Sequence, residues 1–359
     1  MTQKIPQLDG VRGIAILLVM IHNTDASTFL HLDWISRYGW MGVDLFFVLS
    51  GFLITGILLD AKQSGGYFKN FYARRCLRIW PLYYSLLILM LVILPHVRPS
   101  EAHMIFERSS PWWAYPFFVQ NLLVPVPAEA AGPLGVTWSL AIEEQFYLIW
   151  PWFVRFFSSS QIMRIAAGVI LFSPPLRFYL AMHHVNIYSN FFCRLDGLMA
   201  GALLAVMVRS EGFVPSKRVK LAGVCFLIAA CLAVLTENQD TRWICFSMAS
   251  LASLALVYLS LFSPSKWVQA IFRNRFLGYT GLISYGLYLL HRLPFDASKI
   301  IHLDRYPLLS FLSVIACSYL LAAASWTLLE KPFLRMKRFF DLRPAAAAWP
   351  NQPARELPM

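Results

Sequence analysis

Apolar stretches of this 359-residue sequence are interrupted by Arg12, His22, Asp44, Glu143, Glu144, Arg177, Arg194, Asp196, His291 and Glu330. An ionisable group held in hydrocarbon costs about 2.5–3.5 kcal/mol on insertion scales, so each marks a functional site or a buried polar network. A histidine accompanied by carboxylates suits proton transfer at a hydroxyl, while His22 equally reads as a buried histidine satisfied by one interhelical hydrogen bond. Arg74, Arg75 and Arg78, joined by Arg12, suit phosphates, whose oxygens match the guanidinium fork. Adjacent Glu143 and Glu144 point about 100° apart on a helix, so only one faces the interior, and Glu143 is the choice.

Composition predicts the elements that carry these residues. The chain is 58% apolar and only 14% charged, well under the quarter or so charged in a soluble domain. The runs 41–59, 77–94 and 308–329 approach the ~20 residues that cross about 30 Å of hydrocarbon. An all-α polytopic membrane protein follows, because lipid offers the backbone no partner except in helices or a closed barrel. About ten transmembrane helices are placed by periodicity, over residues 8–26, 42–60, 76–95, 138–157, 162–181, 190–209, 219–236, 243–262, 278–294 and 307–330.

The loops orient them. With the N-terminus inside, Lys62, Lys69, Arg74 and Arg75, then Lys217, Arg218 and Lys220, then Lys331, Arg335, Lys337 and Arg338 fall on the cytoplasmic side. The outer segments hold only Arg37, Arg98, Arg108, Arg242, Lys299 and Arg305. This bias predicts that both termini are cytoplasmic. It also explains the net charge of +12 without nucleic acid, since the cations punctuate the apolar runs. Run in these directions, the helices put His22, Asp44, Glu143, Glu144, Arg194, Asp196 and His291 toward the outer side. Arg12, Arg74, Arg75 and Arg78 form an inner pole.

The six cysteines have no zinc or disulfide spacing, read as small core residues, and predict no metal site. The first apolar stretch lacks a cleavage site and reads as an uncleaved span. Residues 1–343 are expected to form one membrane domain and 344–359 a disordered cytoplasmic tail, with no repeat and no fused soluble domain. The aromatic-rich outer loop 96–137 reads as an interfacial or re-entrant cap.

In order along the chain stand LDGVRGIAILLVMIHN from Leu8, GVDLFFVLSGFLIT from Gly42, FYARRCLRIWPLYY from Phe71, WSLAIEEQFYLIWP from Trp138, RLDGLMAGALLA from Arg194, ISYGLYLLH from Ile283 and LLEKP from Leu328. Together they resemble the acyltransferase family 3 membrane proteins, a group that includes bacterial O-antigen and exopolysaccharide O-acetyltransferases, over nearly the whole chain. The resemblance implies a ten-helix core, an acyl-CoA donor and a catalytic arginine and histidine in the first span, here Arg12 and His22. Residues 13–21 separate that pair, one fewer than in the family pattern, and Asn23 holds the usual histidine position. The family step returns to within about 20° of the starting face, whereas this shorter step leaves about 80°. A local 3₁₀ turn would recover part of the difference.

The function this implies is a membrane O-acyltransferase. It passes an acyl group, expected to be acetyl, from cytoplasmic acyl-CoA to a hydroxyl of a glycan or glycolipid at the outer side of a bacterial inner (plasma) membrane. His22, Arg12, Glu143 and Asp44 are the expected catalytic residues. Arg12, Arg74, Arg75 and Arg78 are expected to hold the donor phosphates, with acyl-CoA as donor substrate and no permanently bound cofactor. His22 is expected to act either as base, with Asp44 or Glu143 fixing its tautomer, or as a covalent acyl carrier. The expected partners are a carbohydrate or lipid-linked glycan acceptor and membrane lipids.

Competing readings are a proton-coupled transporter using His22, Asp44 and Glu143 as a relay, and an acyl-translocating subunit serving a separate extracytoplasmic transferase. Blander ones apply residue by residue. Ser50 and Gly51 mark a close helix contact. Arg194, Asp196 and His291 are structural ties. Glu330 pairs with a basic loop residue or positions the donor. Trp112 and Trp113 belong to the interfacial belt or stack on sugar. Arg74, Arg75 and Arg78 mark topology and snorkel to headgroups. Charge reversal at each arginine, followed by acetyl-CoA titration, is expected to leave membrane insertion normal and weaken donor binding. Lost insertion would support topology marking.

Overall fold

A computed structural model describes residues 5–23, 33–123, 132–214, 219–235 and 241–340. The expectations for residues 24–26, Lys217, Arg218 and the 344–359 tail lie outside the described residues. Among the described residues there are helices and connecting loops and no strand. The major helices are α1 (Pro6–His22), α2 (Asp33–Tyr38), α3 (Met41–Asp60), α4 (Tyr67–Leu87), α5 (Thr137–Phe156), α6 (Ser159–Met182) and α7 (Phe191–Arg209). They continue with α8 (Val219–Leu235), α9 (Arg242–Phe262), α10 (Arg275–Leu282), α11 (Ser284–Leu290), α12 (Arg292–Ile300), α13 (Pro307–Ser325) and α14 (Lys331–Arg335).

Helical segments Ser36–Asp60, Tyr67–Val97, Ser159–Met182, Phe191–Arg209, Arg242–Phe262 and Pro307–Phe339 are long and apolar enough to cross a membrane. Large apolar side chains such as Ile88, Leu171 and Leu320 lie exposed on their flanks. In water such faces would be costly, whereas lipid solvates them. The protein is an integral membrane protein.

Two of the expected elements differ. The third span starts at Tyr67 rather than at residue 76 and extends through the π-helical Ile88–Ile93 to Val97. Gly66, at φ 75°, provides the left-handed turn before it. Tyr67 and Phe71 then bury one side of the first turns. Arg74 and Arg75 therefore ride on a helix and not in a loop. The expected span 278–294 is broken into α10, α11 and α12, with interruptions at Ile283 and His291. Gly278, Gly281 and Gly286 lower helix propensity across that stretch.

Helix α3 is the axis of the bundle. It packs against α1, α5, α7 and α9, and its apolar residues extend round all faces, as suits a helix with no lipid side. Contact with α7 is main chain to main chain. A Cβ at Gly51 would collide with the Leu198 carbonyl, and one at Gly201 with that of Val48. Small residues permit this approach, which supplies dispersion contacts where lipid offers no hydrophobic driving force. Gly51 thus has the packing role expected of it, while Ser50 beside it turns to the interior cavity.

Buried charges tie the same helices. Asp44 of α3 accepts from Arg194 of α7 at 2.9 Å and from Ser250 of α9 at 3.4 Å. Asp196 of α7 accepts from Arg177 of α6 at 2.9 Å and from Ser247 at 2.8 Å. Arg177 also donates to the Cys193 and Trp243 carbonyls at 2.6 and 2.8 Å. The Arg194 guanidinium lies 4.1 Å from the Phe246 ring centroid and within 6 Å of those of Phe47, Trp138 and Tyr188. Asp44, expected beside His22, is instead a structural counter-ion, because a buried arginine on the neighbouring helix requires one.

Removing one partner of a buried pair leaves an uncompensated charge and costs about 3–5 kcal/mol, whereas removing both costs far less. Asp44→Asn is expected to lower the thermal unfolding midpoint of the purified protein sharply, and Asp44→Leu with Arg194→Met to recover most of the loss. A double variant as unstable as the sum of the singles would show that the pair is not a tie.

Candidate active site

A cavity of about 840 Å³ opens among α1, α3, α4, α5 and α11, a size typical of small-molecule and cofactor sites. Helical spacing explains much of its wall. Ser139, Glu143 and Tyr147 recur at i, i+4 and i+8 along α5 and share one face, while Glu144 is turned off it and does not line the cavity. The Tyr147 hydroxyl donates to Glu143 at 3.0 Å and shares a short hydrogen bond with Ser50 of α3. The choice of Glu143 over Glu144 as the inward carboxylate agrees with this geometry.

One end of the cavity is cationic. Arg12, Arg74, Arg75, Arg78, Lys337 and Arg338 all line it. Arg12 donates to Asp9 at 3.1 Å, one turn back on α1. Arg74 donates to the Phe340 carbonyl at 3.1 Å, which holds the chain beyond α14 against α4 and brings Lys337 and Arg338 to the rim. Arg75 lies 5.6 and 5.8 Å from the ring centroids of Phe71 and Tyr147, and its buried Nε has no hydrogen-bond partner. Asp60, also on the wall, is bound by Arg209 at 2.7 and 2.9 Å, so its charge is already neutralised. The surplus of positive charge suits a polyanionic ligand.

His22 lies in a separate narrow cleft, lined also by Asn23, Trp138, Tyr188 and Arg292. Val43 and Tyr288 line both spaces and form the partition between them. Helix α1 ends at His22, and Asn23 caps it, its N–H and its side-chain amide both donating to the Val19 carbonyl at 3.0 Å. The closing bond is i to i−4, so the 3₁₀ turn suggested for the short Arg12-to-His22 spacing is not formed. Arg12 and His22 stand about 15 Å apart along one helix axis and face different spaces, and are not a directly contacting pair.

The His22 imidazole is held from α2. Its Nδ1 donates to the Ser36 carbonyl at 2.7 Å. The Ser36 hydroxyl donates to the Ile21 carbonyl at 3.4 Å. Gly39 supports the ring's backbone, since a Cβ there would lie 2.7 Å from that of His22. The partner of Nδ1 is a main-chain carbonyl, and not Asp44 or Glu143.

Other expected residues fall outside both spaces. Arg194 and Asp196 belong to the buried ties described above. His291 donates through Nδ1 to the main-chain carbonyls of α11. Glu330 accepts from Ser325 at 3.2 Å. Trp112 and Trp113 are exposed on the loop between Val97 and Thr137. That loop is fastened by Gln120, which donates to the Tyr83 hydroxyl and the Thr137 carbonyl, and by Gln145, which donates to the Phe118 carbonyl. The wall residues not foreseen are Lys337, Arg338, Tyr147, Ser139, Tyr285 and Tyr288. The i, i+4 spacing of Ser139 and Tyr147 about Glu143 was the available signal for two of them. Among the described residues no cluster of three or more His, Cys, Asp or Glu side chains could hold a metal ion.

A family model described as an acyltransferase domain matches residues 5–329. Among curated relatives, the peptidoglycan O-acetyltransferase OatA of Listeria monocytogenes is 28% identical over 358 residues, covering 91% of this chain and 55% of the relative. A Staphylococcus aureus protein, provisionally named an O-acetyltransferase, is 29% identical over 363 residues, covering 92% of this chain and 57% of its own length. Bacillus subtilis YrhL, provisionally named a peptidoglycan O-acetyltransferase, is 31% identical over 314 residues, covering 80% and 48%. The chain spans about half the length of the curated relatives it matches. No solved structure matches it. With the family's domain running through α1, α3, α4, α5 and α11, the chain belongs to acyltransferase family 3.

Proposed function

We propose that this chain is a membrane O-acyltransferase, moving an acetyl group from acyl-CoA to a hydroxyl of a glycan or glycolipid. The observation that carries the reading is a cavity with a cationic mouth that ends at the partition of the His22 cleft. Arg12, Arg74, Arg75 and Arg78, together with Lys337 and Arg338, bind the donor phosphates. The thioester arm runs up the cavity to Val43 and Tyr288. The acceptor hydroxyl approaches from the His22 side, gives its proton to Nε2 and attacks the acyl carbon. The C–S bond then breaks, and the thiolate takes the proton from His22.

The bundle crosses the membrane about ten times, with both termini cytoplasmic, in a bacterial inner membrane. The cationic mouth then faces the cytoplasm, where acyl-CoA is made, and the His22 cleft faces outward. Helices α1 and α5 tolerate polar residues because the rest of the bundle shields them. The names of the Listeria and Bacillus relatives support a carbohydrate acceptor.

The test is coenzyme A release together with labelled acetyl incorporation, in membranes carrying the wild type, His22→Ala or Asn23→Ala at matched protein levels, with a host glycan fraction as acceptor. His22→Ala is expected to lower acceptor-dependent transfer by about 10²–10⁴-fold, the range for loss of a general base, and Asn23→Ala to retain it. Wild-type rates in His22→Ala would overturn the assignment. Coenzyme A release without acceptor acylation, restored by a separate soluble transferase, would favour the acyl-translocating reading.

A further inference from the structure

We infer that the Tyr288 hydroxyl, relieved by Ser139, is the donor that stabilises the oxyanion formed during acyl transfer. This rests on the acyl-transfer reading above and adds to it a group for the charge that develops on the carbonyl oxygen.

The first ground is position. Tyr288 lines both the donor cavity and the His22 cleft. A thioester reaching the end of the cavity and a hydroxyl activated at His22 must meet beside that ring. Burial of its neighbours fixes it there. The ring packs edge-on against Phe46, with centroids 6.0 Å apart, and α11 is held by the Tyr285 hydroxyl donating to the Ile79 carbonyl of α4 at 2.6 Å.

The second ground is the count of protons. The Tyr288 hydroxyl donates to the Val136 carbonyl at 3.0 Å and shares a short hydrogen bond with the Ser139 hydroxyl. Ser139 reaches the same carbonyl at 3.3 Å. Two hydroxyl donors therefore serve one carbonyl acceptor. Either can satisfy Val136 alone, so the other can be lent without leaving a buried polar group unmet. Of the other tyrosines of the wall, Tyr285 gives its hydroxyl proton to Ile79, and Tyr147, bound to Glu143 and Ser50, does not line the His22 cleft.

The step balances as follows. The acceptor oxygen bonds to the acyl carbon, its proton passes to His22 Nε2, and the carbonyl π pair moves onto oxygen. Ser139 turns its O–H to the Val136 carbonyl, and Tyr288 turns its O–H to the oxyanion. Collapse restores the C=O bond and expels the sulfur with the C–S electron pair. The thiolate takes the proton held by His22, leaving the ester and free coenzyme A. A preorganised donor in a water-poor site needs no solvent reorganisation, which is why such groups contribute strongly to rate.

The experiment uses the full chain in lipid nanodiscs, with acetyl-CoA and the glycan acceptor. Tyr288→Phe keeps the ring and removes the donor. Its kcat is expected to fall by about 10²–10³-fold, the usual cost of losing one oxyanion donor, while KM and the Kd for acetyl-CoA stay unchanged. Ser139→Ala is expected to lower kcat less, because Tyr288 must then choose between Val136 and the oxyanion. The double variant should be no slower than Tyr288→Phe, since Ser139 acts only through Tyr288.

An unchanged kcat in Tyr288→Phe, or a loss confined to acetyl-CoA affinity, overturns the inference. Should Tyr288→Phe fail to accumulate, 3-fluorotyrosine at position 288 keeps the ring and acidifies the donor, and an unchanged kcat there overturns it equally. His22→Ala alongside keeps two failures apart. Activity lost in His22→Ala but retained in Tyr288→Phe sinks this inference alone, activity retained in both sinks the His22 assignment as well, and a wild type that releases no coenzyme A with the acceptor sinks the acyl-transfer reading.

Discussion

A charge placed in hydrocarbon must find its counter-charge inside the protein, and that requirement organises this bundle. Arg194 and Arg177 each meet an aspartate at 2.9 Å, the two pairs link α3, α6 and α7, and Ser247 and Ser250 add α9. Desolvation makes such pairs poor sources of net stability but severe penalties for misassembly. A register shift between α3 and α7 would strand Asp44 and Arg194 together. The main-chain contacts at Gly51 and Gly201 lie on the same interface, so close packing and charge pairing select the same alignment.

Beyond the α3–α7 interface, two spaces gather many of the remaining polar groups. One collects cations, among them Arg75, whose buried Nε has no hydrogen-bond partner. The other holds a histidine whose orientation depends on a main-chain carbonyl, a contact that a side-chain substitution cannot remove directly. Tyr288 and Val43 stand between, a partition built from one aromatic and one aliphatic side chain.

The helices and their approximate places were legible because the solvent is lipid, which enforces long apolar runs and punishes stray charge. The arginine pole was legible for the same reason, as was the importance of Arg177, Arg194 and Asp196. Partners were not. Asp44 meets Arg194 across 150 positions of sequence, and no local spacing announces that bond, so a carboxylate in the outer half of a span was read as a companion for the nearest histidine. Lys337 and Arg338 were read as topology marks because a basic run after a last span looks the same whether it faces headgroups or folds back onto a cavity. Ser139 and Tyr288 carry no charge, and hydroxyls in a membrane raise no alarm in composition. The break of residues 275–300 into short helices was hidden by a hydropathy continuous enough to suggest one span.

Helix α1 carries Arg12 at one space and His22 at the other, with an uninterrupted hydrogen-bond ladder between them. Under the proposed division of labour it therefore works as a ruler and a dial together. Each residue added or removed between the two marks changes the reach required of the donor arm by about 1.5 Å, a small matter for a flexible chain, but swings the base by about 100°. Angular tolerance, more than length, decides which spacings a first helix of this kind can carry. The contacts from Ser36 and Gly39 set the dial here, and a relative with a different spacing would need a different second helix to read the same acyl carbon.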